Sequence, residues 1–194
     1  MKTELDKQLC EKFPKLFVDR NGDMLATAMC WGFEHGDGWF NIIHALCANI
    51  QWHIDQSVER NANAIRYEAE RVAAVAGDFT VYDNFHPSLI PTYREQRHQE
   101  LLTEKPRVIP EILEQVTVNQ VKEKFGTLRF YYSGGDAYID GLVAMAESMS
   151  AATCEECGAP GRVRHGGWLR CLCDEHAQAS GNYLTEEDEA SIEP

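Results

Sequence analysis

The segment from Trp39 to Ala76 contains neither glycine nor proline, and its apolar residues recur at helical spacing. This stripe comprises Trp39, Ile43, Leu46, Cys47, Ile50, Ile54, Val58, Ala62, Ile65, Ala69, Val72 and Ala76. One unbroken helix would extend about 57 Å at about 1.5 Å per residue, more than the diameter of a compact domain of this size. We therefore expect a break near 55–57 that gives two packed helices. The alternative is a single helix, part of which packs against another chain.

Shorter segments predict the remaining elements. Apolar residues at four-residue spacing indicate a helix before Pro14. The aromatic and proline-rich stretch 79–110 is expected to be irregular, with one short helix around 92–102. Alternating residues over 116–132 predict a β-hairpin that turns near 125–127, and a short amphipathic helix should follow over 139–149.

Four residues near the C-terminus, Cys154, Cys157, Cys173 and His176, form a C-x2-C pair and a C-x2-H pair separated by fifteen residues. Two close pairs joined by a short loop are the pattern of a tetrahedral zinc site, which folds a knuckle or ribbon. Because four protein ligands are available, we expect a closed, structural Zn²⁺ site with no open catalytic position. The zinc-deaminase and H-E-x2-H signatures do not occur in the sequence.

Two other residues compete for that site. Cys171 lies two residues before Cys173, and His165 lies within the loop. We prefer Cys173 as the ligand, because Cys173 and His176 repeat the spacing of the first pair. The length of the chain, the zinc spacing and the lack of a signal sequence favour reduced thiols throughout.

These elements predict an α+β fold with three parts. The first, 1–150, is a helix-rich body with one long or broken helix and a β-hairpin or small antiparallel sheet. The second, 151–180, is the zinc knuckle or ribbon, and the third, 181–194, is an acidic tail.

The charge balance narrows the class of partner. The formal net charge is −13, which opposes wrapping of nucleic acid and permits docking onto a basic partner as well as simple solubility. No apolar run approaches the roughly 18–20 residues that span a bilayer, and the N-terminus has no apolar signal core. We therefore expect a cytoplasmic protein.

A local basic and aromatic cluster interrupts the acidic background. Arg162, Arg164, Trp168 and Arg170 lie between the two halves of the metal motif and could contact nucleic acid or another anion. The same arginines could instead form ion pairs with the protein's own carboxylates, and we favour that interpretation.

Other candidate sites are weaker. The polar loop 34–37 could bind metal or substrate, although helix capping by Asp37 also accounts for it. Lys122, Lys124 and Arg129 form a basic patch on the hairpin, where outward charged residues are expected in any case. No P-loop, G-x-G-x2-G or G-x-S-x-G motif occurs, and no nucleophile–base pair is evident.

Three segments resemble small uncharacterised proteins encoded by tailed bacteriophages and prophages. They are Gly36-Asp37-Gly38-Trp39, the run VKEKFGTLRFY over 121–131, and Cys154-Glu155-Glu156-Cys157-Gly158 with Gly167-Trp168 and the C-x2-H pair. The resemblance covers most of 10–176. It implies a setting in the bacterial host cell and no particular mechanism.

We consequently expect a non-enzymatic phage accessory protein that binds a host or phage protein through an acidic surface. Small phage accessory proteins often act by binding host proteins, including defence systems, so this protein could inhibit such a system. The helix over 39–76 could mediate a homodimer. The first alternative is a zinc-ribbon regulator that binds nucleic acid. The second is an enzyme or nucleotide-binding protein whose site the sequence does not reveal.

Overall fold

The computed structural model describes residues 1–25, 27–165 and 168–181. Within these ranges the α-helices are α1 (Thr3–Lys12), α2 (Phe40–Val75), α3 (Thr80–Phe85), α4 (Pro91–Thr103), α5 (Ala137–Ser150) and α6 (Asp174–Ser180). The strands are β1 (Phe33–Glu34), β2 (Thr117–Lys124), β3 (Thr127–Ser133), β4 (Arg162–Arg164) and β5 (Arg170–Leu172). Three short 3-10 helices cover Val18–Asn21, Ala28–Trp31 and Asp37–Trp39. The predicted α+β class is confirmed.

The strands form two small sheets. In the first, β2 lies between β1 and β3, pairing in parallel with β1 and antiparallel with β3. Strands β2 and β3 form the predicted hairpin, with a two-residue loop at Phe125 and Gly126. In the second sheet, β4 and β5 pair antiparallel beside the metal-ligand segments.

The prediction of a break in the long helix is wrong. Helix α2 runs without interruption for 36 residues. The length argument assumed one compact body, whereas the contacts divide the chain into two units at Ile54 and Leu113. No glycine or proline interrupts the backbone hydrogen bonds at 55–57, so the helix continues from one unit into the other.

Unit 1 combines Met1–Ile54 with the chain from Glu114 onwards, and unit 2 is Asp55–Leu113. The metal-ligand segment is therefore grouped with the N-terminal body, whereas the sequence predicts a boundary at 150. Of the predicted acidic tail 181–194, only Gly181 lies within the described residues.

Unit 1 has a continuous apolar core. The first half of α2 contributes Ile43 and Ile50, the three-stranded sheet contributes Val121 and Phe130, and α5 contributes Val143. Burial of large side chains from several elements is the main stabilising contribution to such a unit.

Unit 2 consists of the second half of α2, the helices α3 and α4, and a segment over 104–113 without regular secondary structure. Its buried hydrophobic side chains are Ala74, Tyr82 and Leu101. Ion pairs supplement this small cluster, such as that of Arg97 with Glu100 at 2.9 Å. No helix in the described ranges is both long and apolar enough to cross a membrane, α2 included.

Candidate metal centre

The structure brings the four predicted ligands together. The ligand atoms of Cys154, Cys157, Cys173 and His176 all lie within 4.8 Å of one another. The two sulfurs of Cys157 and Cys173 are 3.9 Å apart, and His176 Nδ1 lies 3.8 Å from Cys154 Sγ and 3.1 Å from Cys173 Sγ. A tetrahedron built on metal–sulfur bonds of about 2.3 Å has edges of about 3.8 Å. The cluster could hold a metal ion, and its donor set is consistent with zinc.

Local backbone structure positions both halves of the cluster. After α5 the chain turns tightly, with Gly158 N–H donating to Cys154 C=O at 2.8 Å and Gly158 at φ +77°. Cys173 precedes α6, and His176 lies three residues later within that helix. The side chain of an N-cap residue lies beside the third residue of the helix, so Cys173 and His176 point to the same place.

The cluster favours ionisation of one thiol. Burial opposes ionisation of Cys154, but backbone N–H groups at Cys173, Cys157 and Glu156 outweigh it and lower the pKa of that thiol below its ordinary value. Thiolates are the form that binds metal. This arrangement prepares the first ligand for a cation.

The competing ligands lie outside the cluster, as the spacing argument predicts. The Cys171 thiol is buried and donates to Ala151 C=O at 3.2 Å, and burial raises its pKa to about 11. His165 is exposed and is not among the grouped residues. Cys171 is a packing residue of the core of unit 1.

The segment between Cys157 and Cys173, which we call the metal arm, contains three arginines that form internal ion pairs. Arg162 and Arg164 both pair with Asp174, the former at 3.6 Å. Arg170 pairs with Glu155 at 3.2 Å and also with Glu156. These contacts connect the β4–β5 hairpin to α6 and to the first cysteine turn. They support the intramolecular interpretation of the basic cluster.

The Gly36–Trp39 motif docks directly on the first cysteine turn, which sequence reasoning missed. Gly36 N–H donates to the Glu155 carboxylate at 2.9 Å, and Gly38 N–H donates to Glu155 C=O at 2.7 Å. The indole of Trp39 donates to Thr153 C=O at 2.8 Å. The signal available in the sequence was the pair of glycines before a tryptophan, which indicates a close backbone approach.

Gly38 shows how close that approach is. A Cβ atom at Gly38 would lie 2.1 Å from the carbonyl oxygen of Cys154 and 2.4 Å from the nitrogen of Gly158. Both are backbone atoms that cannot rotate away. The start of α2 and the metal turn therefore fit together only because position 38 has no side chain.

The polar loop 34–37 does not form a convergent site. Glu34 accepts a hydrogen bond from Gln120 at 3.1 Å, and Asp37 binds the backbone N–H and the ammonium of Lys2. His35 is buried, with Nδ1 2.7 Å from Gly36 C=O. Each side chain has a different partner, so the loop serves the fold.

A second feature lies at the tip of the β2–β3 hairpin, where Phe125 and Gly126 have φ of +55° and +78°. Such a two-residue turn favours asparagine at the first position, because a bulky residue at positive φ is strained. Phe125 is nevertheless 67% exposed, and Trp168 is 68% exposed and donates to Glu123 at 3.1 Å. Phe125, Trp168, Lys122 and Lys124 line one groove, which we call the hairpin–arm surface.

The lysines of the hairpin–arm surface lie over aromatic rings. The ammonium of Lys122 is 5.6 Å from the centre of the Tyr131 ring, and that of Lys124 is 5.4 Å from the centre of the Phe125 ring. In the described part of the chain neither ammonium forms an ion pair with a carboxylate. Arg129, the third member of the predicted basic patch, lies 3.9 Å from Glu147.

Comparisons with models of protein families, with curated proteins and with solved structures give no match to this chain. The resemblance of the motifs to phage proteins therefore stays a prediction.

Proposed function

We propose that this chain is a non-enzymatic binding protein that is stabilised by structural zinc and that docks a partner protein on the hairpin–arm surface. The observation that carries the proposal is Phe125, a large aromatic side chain held exposed in a strained backbone conformation. Strained residues that persist in a fold concentrate at functional sites.

The metal site supports a structural role. Three sulfurs and one imidazole nitrogen are the four ligands of a tetrahedral zinc site, and a zinc ion bound by all four would have no position for a substrate or a water molecule. Zinc in such a site supplies folding free energy. The ion pairs of Arg170 and the docking of Gly36–Trp39 both depend on the turn that carries Cys154 and Cys157.

The aromatic pair supports a binding role. Exposed aromatic residues are enriched at the centres of protein interfaces, where they lose water on contact. Asparagine at position 125 would fit the turn without strain, so stability alone does not explain phenylalanine there. The Glu123 carboxylate accepts both from the Trp168 indole and from Gly126 N–H, which fixes one ring and the turn together.

The charge of unit 1 suggests the character of the partner. Unit 2 contains 7 basic and 10 acidic residues, so the remaining net charge of −10 out of −13 belongs to unit 1. A surface of this sign attracts a basic protein and repels nucleic acid. In this proposal the aromatic pair forms the centre of the contact, and the net negative charge of the whole chain guides the approach. Inhibition of a host defence system in a phage-infected cell rests on the motif resemblance alone.

The test compares the wild type with Phe125→Asn. We expect the free energy of unfolding of the variant, measured by denaturant titration, to be about 1 kcal/mol higher than that of the wild type, because the strain at positive φ is relieved. We also expect it to lose proteins that the wild type captures from a lysate of bacterial host cells, quantified by mass spectrometry. Phe85→Asn, which changes another exposed phenylalanine, is the matched control and should keep those proteins.

A gain in stability together with lost capture separates binding from folding. Equal capture by wild type and Phe125→Asn would remove the hairpin–arm surface from the proposal. Stoichiometric binding of nucleic acid or of a small molecule, with no protein captured, would overturn the proposal as a whole.

The two lysines favour a second candidate function, the binding of single-stranded nucleic acid. Lys122 and Lys124 could contact phosphates while bases stack on Phe125 and Trp168. Fluorescence anisotropy with a labelled single-stranded oligonucleotide at low salt tests this candidate. Binding that weakens steeply with salt and is lost in Lys122→Glu/Lys124→Glu would support it. The same variant should retain a basic protein partner.

A further inference from the structure

We propose that the second half of α2 is the homodimer interface of this protein and pairs antiparallel with the same half of a second copy. The contact residues, which we call the seam, are Val58, Ala62, Ile65, Ala69 and Val72 of α2 and Ala76 directly after it. All six are exposed. This inference concerns unit 2 and is independent of the function proposed for the hairpin–arm surface.

The spacing of the seam is that of a helix that packs along another helix. Its residues follow one another at steps of four and three, so the apolar positions repeat every seven residues. A surface helix of a single domain normally turns such a stripe toward its own core. Here the stripe extends over about 27 Å of exposed helix, at about 1.5 Å per residue.

The rest of unit 2 covers the other sides of the helix. Ala74 packs with Tyr82 and Leu101 from α3 and α4. On another side the irregular segment 104–113 is held by two hydrogen bonds, from Asn61 to Pro110 C=O at 2.7 Å and from Arg107 N–H to Glu68 at 3.0 Å. The seam is the apolar face that these elements leave open.

The small core of unit 2 indicates that this open face is normally covered. Of the 28 buried hydrophobic side chains in the described residues, three belong to unit 2, whereas eleven of its large hydrophobic side chains are exposed. Glu70 is also buried, with Arg66 and His86 as ion-pair partners at 3.9 and 3.8 Å and with no hydrogen bond to either carboxylate oxygen, so a charged group takes up part of this small interior. A unit of about 60 residues is marginally stable even with an ordinary core.

A second copy fits the seam because the seam is complementary to itself. In an antiparallel pair, position 65 faces position 69 of the other copy, 62 faces 72, and 58 faces 76. Each layer then combines one β-branched residue with one alanine, which keeps the distance between the helices uniform. A parallel pair would alternate large with large and small with small, leaving gaps at every alanine layer.

The charge distribution permits self-association at this place. Unit 2 has a net charge of −3 from 7 basic and 10 acidic residues, against −10 for unit 1. Two copies that meet through unit 2 bring only a small net charge together, and half of the charge of unit 1 lies on 182–194, outside the described residues. A contact of this kind between like molecules forms a closed twofold dimer.

Sedimentation equilibrium of the full chain loaded with zinc tests the interface. We expect a dimer for the wild type and for Arg60→Glu, a control at an exposed position outside the seam. Ile65→Glu/Val72→Glu should raise the dimer dissociation constant by about 100-fold or more, because it places charges in an apolar contact. Retained zinc and unchanged near-ultraviolet circular dichroism would show that the variant still folds.

Mixing two single variants tests the antiparallel orientation. Ile65→Glu and Ala69→Lys should each dimerise weakly alone, and an equimolar mixture should form a heterodimer about 10-fold tighter, because position 65 of one copy faces position 69 of the other. Ile65→Glu mixed with Val72→Lys is the control and should show no such gain. A gain in the control mixture equal to that of the test mixture would overturn the antiparallel register.

Ordinary dimers have dissociation constants in the nanomolar-to-micromolar range. A wild type that is still monomeric at about 100 μM, roughly 100-fold above that range, would overturn the interface itself. So would a dimer that Ile65→Glu/Val72→Glu leaves intact. Capture of a different protein by the seam, with no dimer, would also count against the proposal.

Discussion

The two halves of α2 carry the same pattern and have different surroundings. The apolar stripe begins at Trp39, directly before α2, and ends at Ala76, directly after it. Its residues from Trp39 to Ile54 are all buried, whereas those from Val58 to Ala76 are all exposed. Periodicity determines which residues share a face of a helix. Whether that face is covered depends on what the rest of the chain supplies: a sheet and two helices in unit 1, and no comparable layer in unit 2.

Removal of the metal should have the largest effect, and it should affect unit 1 alone. Cys154→Ser should release the metal and unfold the segment 151–180, because binding free energy in such sites, about 10 kcal/mol or more, is folding free energy. Metal analysis and hydrogen exchange on both halves of α2 measure this outcome. Cys171→Ser is the control and should keep the metal.

If hydrogen exchange in the second half of α2 also accelerated on metal loss, the two units would not be energetically separate. Full metal content and an unchanged melting temperature in Cys154→Ser would contradict the ligand assignment.

Of the substitutions that add one methyl group to unit 1, Gly38→Ala should reduce the free energy of unfolding most. The added Cβ meets two backbone atoms of the metal turn, so the start of α2 and that turn must move apart. We expect a loss of roughly 4 kcal/mol in the free energy of unfolding, measured by denaturant titration. Gly141→Ala is the matched control, because nothing lies within 4 Å of its Cβ and alanine favours the helix by about 1 kcal/mol.

The same truncation in each half of α2 compares them directly. Ile50→Ala removes a fully buried side chain and should reduce the free energy of unfolding by about 3 to 4 kcal/mol. Ile65→Ala should change it by less than about 0.5 kcal/mol in dilute, monomeric protein. At concentrations where a dimer forms, the cost of Ile65→Ala should grow with protein concentration. Equal costs at both positions in dilute solution would contradict the difference in burial.

Acid should weaken unit 1 through His35. Burial lowers the pKa of this imidazole to about 4, so the unfolded chain binds the proton more readily. The stabilising contribution is therefore complete above the ordinary histidine pKa of about 6.5 and is lost as the pH falls toward 4, by about 2 to 3 kcal/mol. Chemical denaturation of zinc-loaded wild type and His35→Leu across this range measures it.

Metal release at low pH is common to both proteins, so their difference isolates the imidazole. We expect the variant to lose less stability between pH 6.5 and pH 4 than the wild type. Parallel pH profiles of the two proteins would contradict the assignment.

Local patterns predicted the elements that local physics controls. The hairpin turn, the helix after it and the ligand set followed from alternation, helical spacing and the paired cysteines and histidine. The choice of Cys173 over Cys171 followed from spacing alone and agrees with the cluster. The continuity of α2 was predicted wrongly, because the prediction assumed that the chain folds as one compact body.

Contacts between residues far apart in the chain could not be predicted from local sequence patterns. The hydrogen bond from Gly36 to Glu155 joins residues 119 positions apart, and no local pattern specifies that pairing. The ion pairs of Arg164 and Arg170 likewise depend on the fold of the metal arm. The strain at Phe125 was also invisible, because it appears only when the turn type is known.

The docking of Gly36–Trp39 on the first cysteine turn has a consequence for synthesis of the chain. Unit 2 is continuous in sequence, so a ribosome can release all of it before the metal ligands have been made. Unit 1 is discontinuous, and the contact of Gly36–Trp39 with the first cysteine turn forms only after the segment through Cys157 has emerged, long after unit 2. The N-terminal segment with its apolar stripe therefore lacks part of its tertiary contacts for most of translation. Chaperones bind exposed apolar surface during that interval.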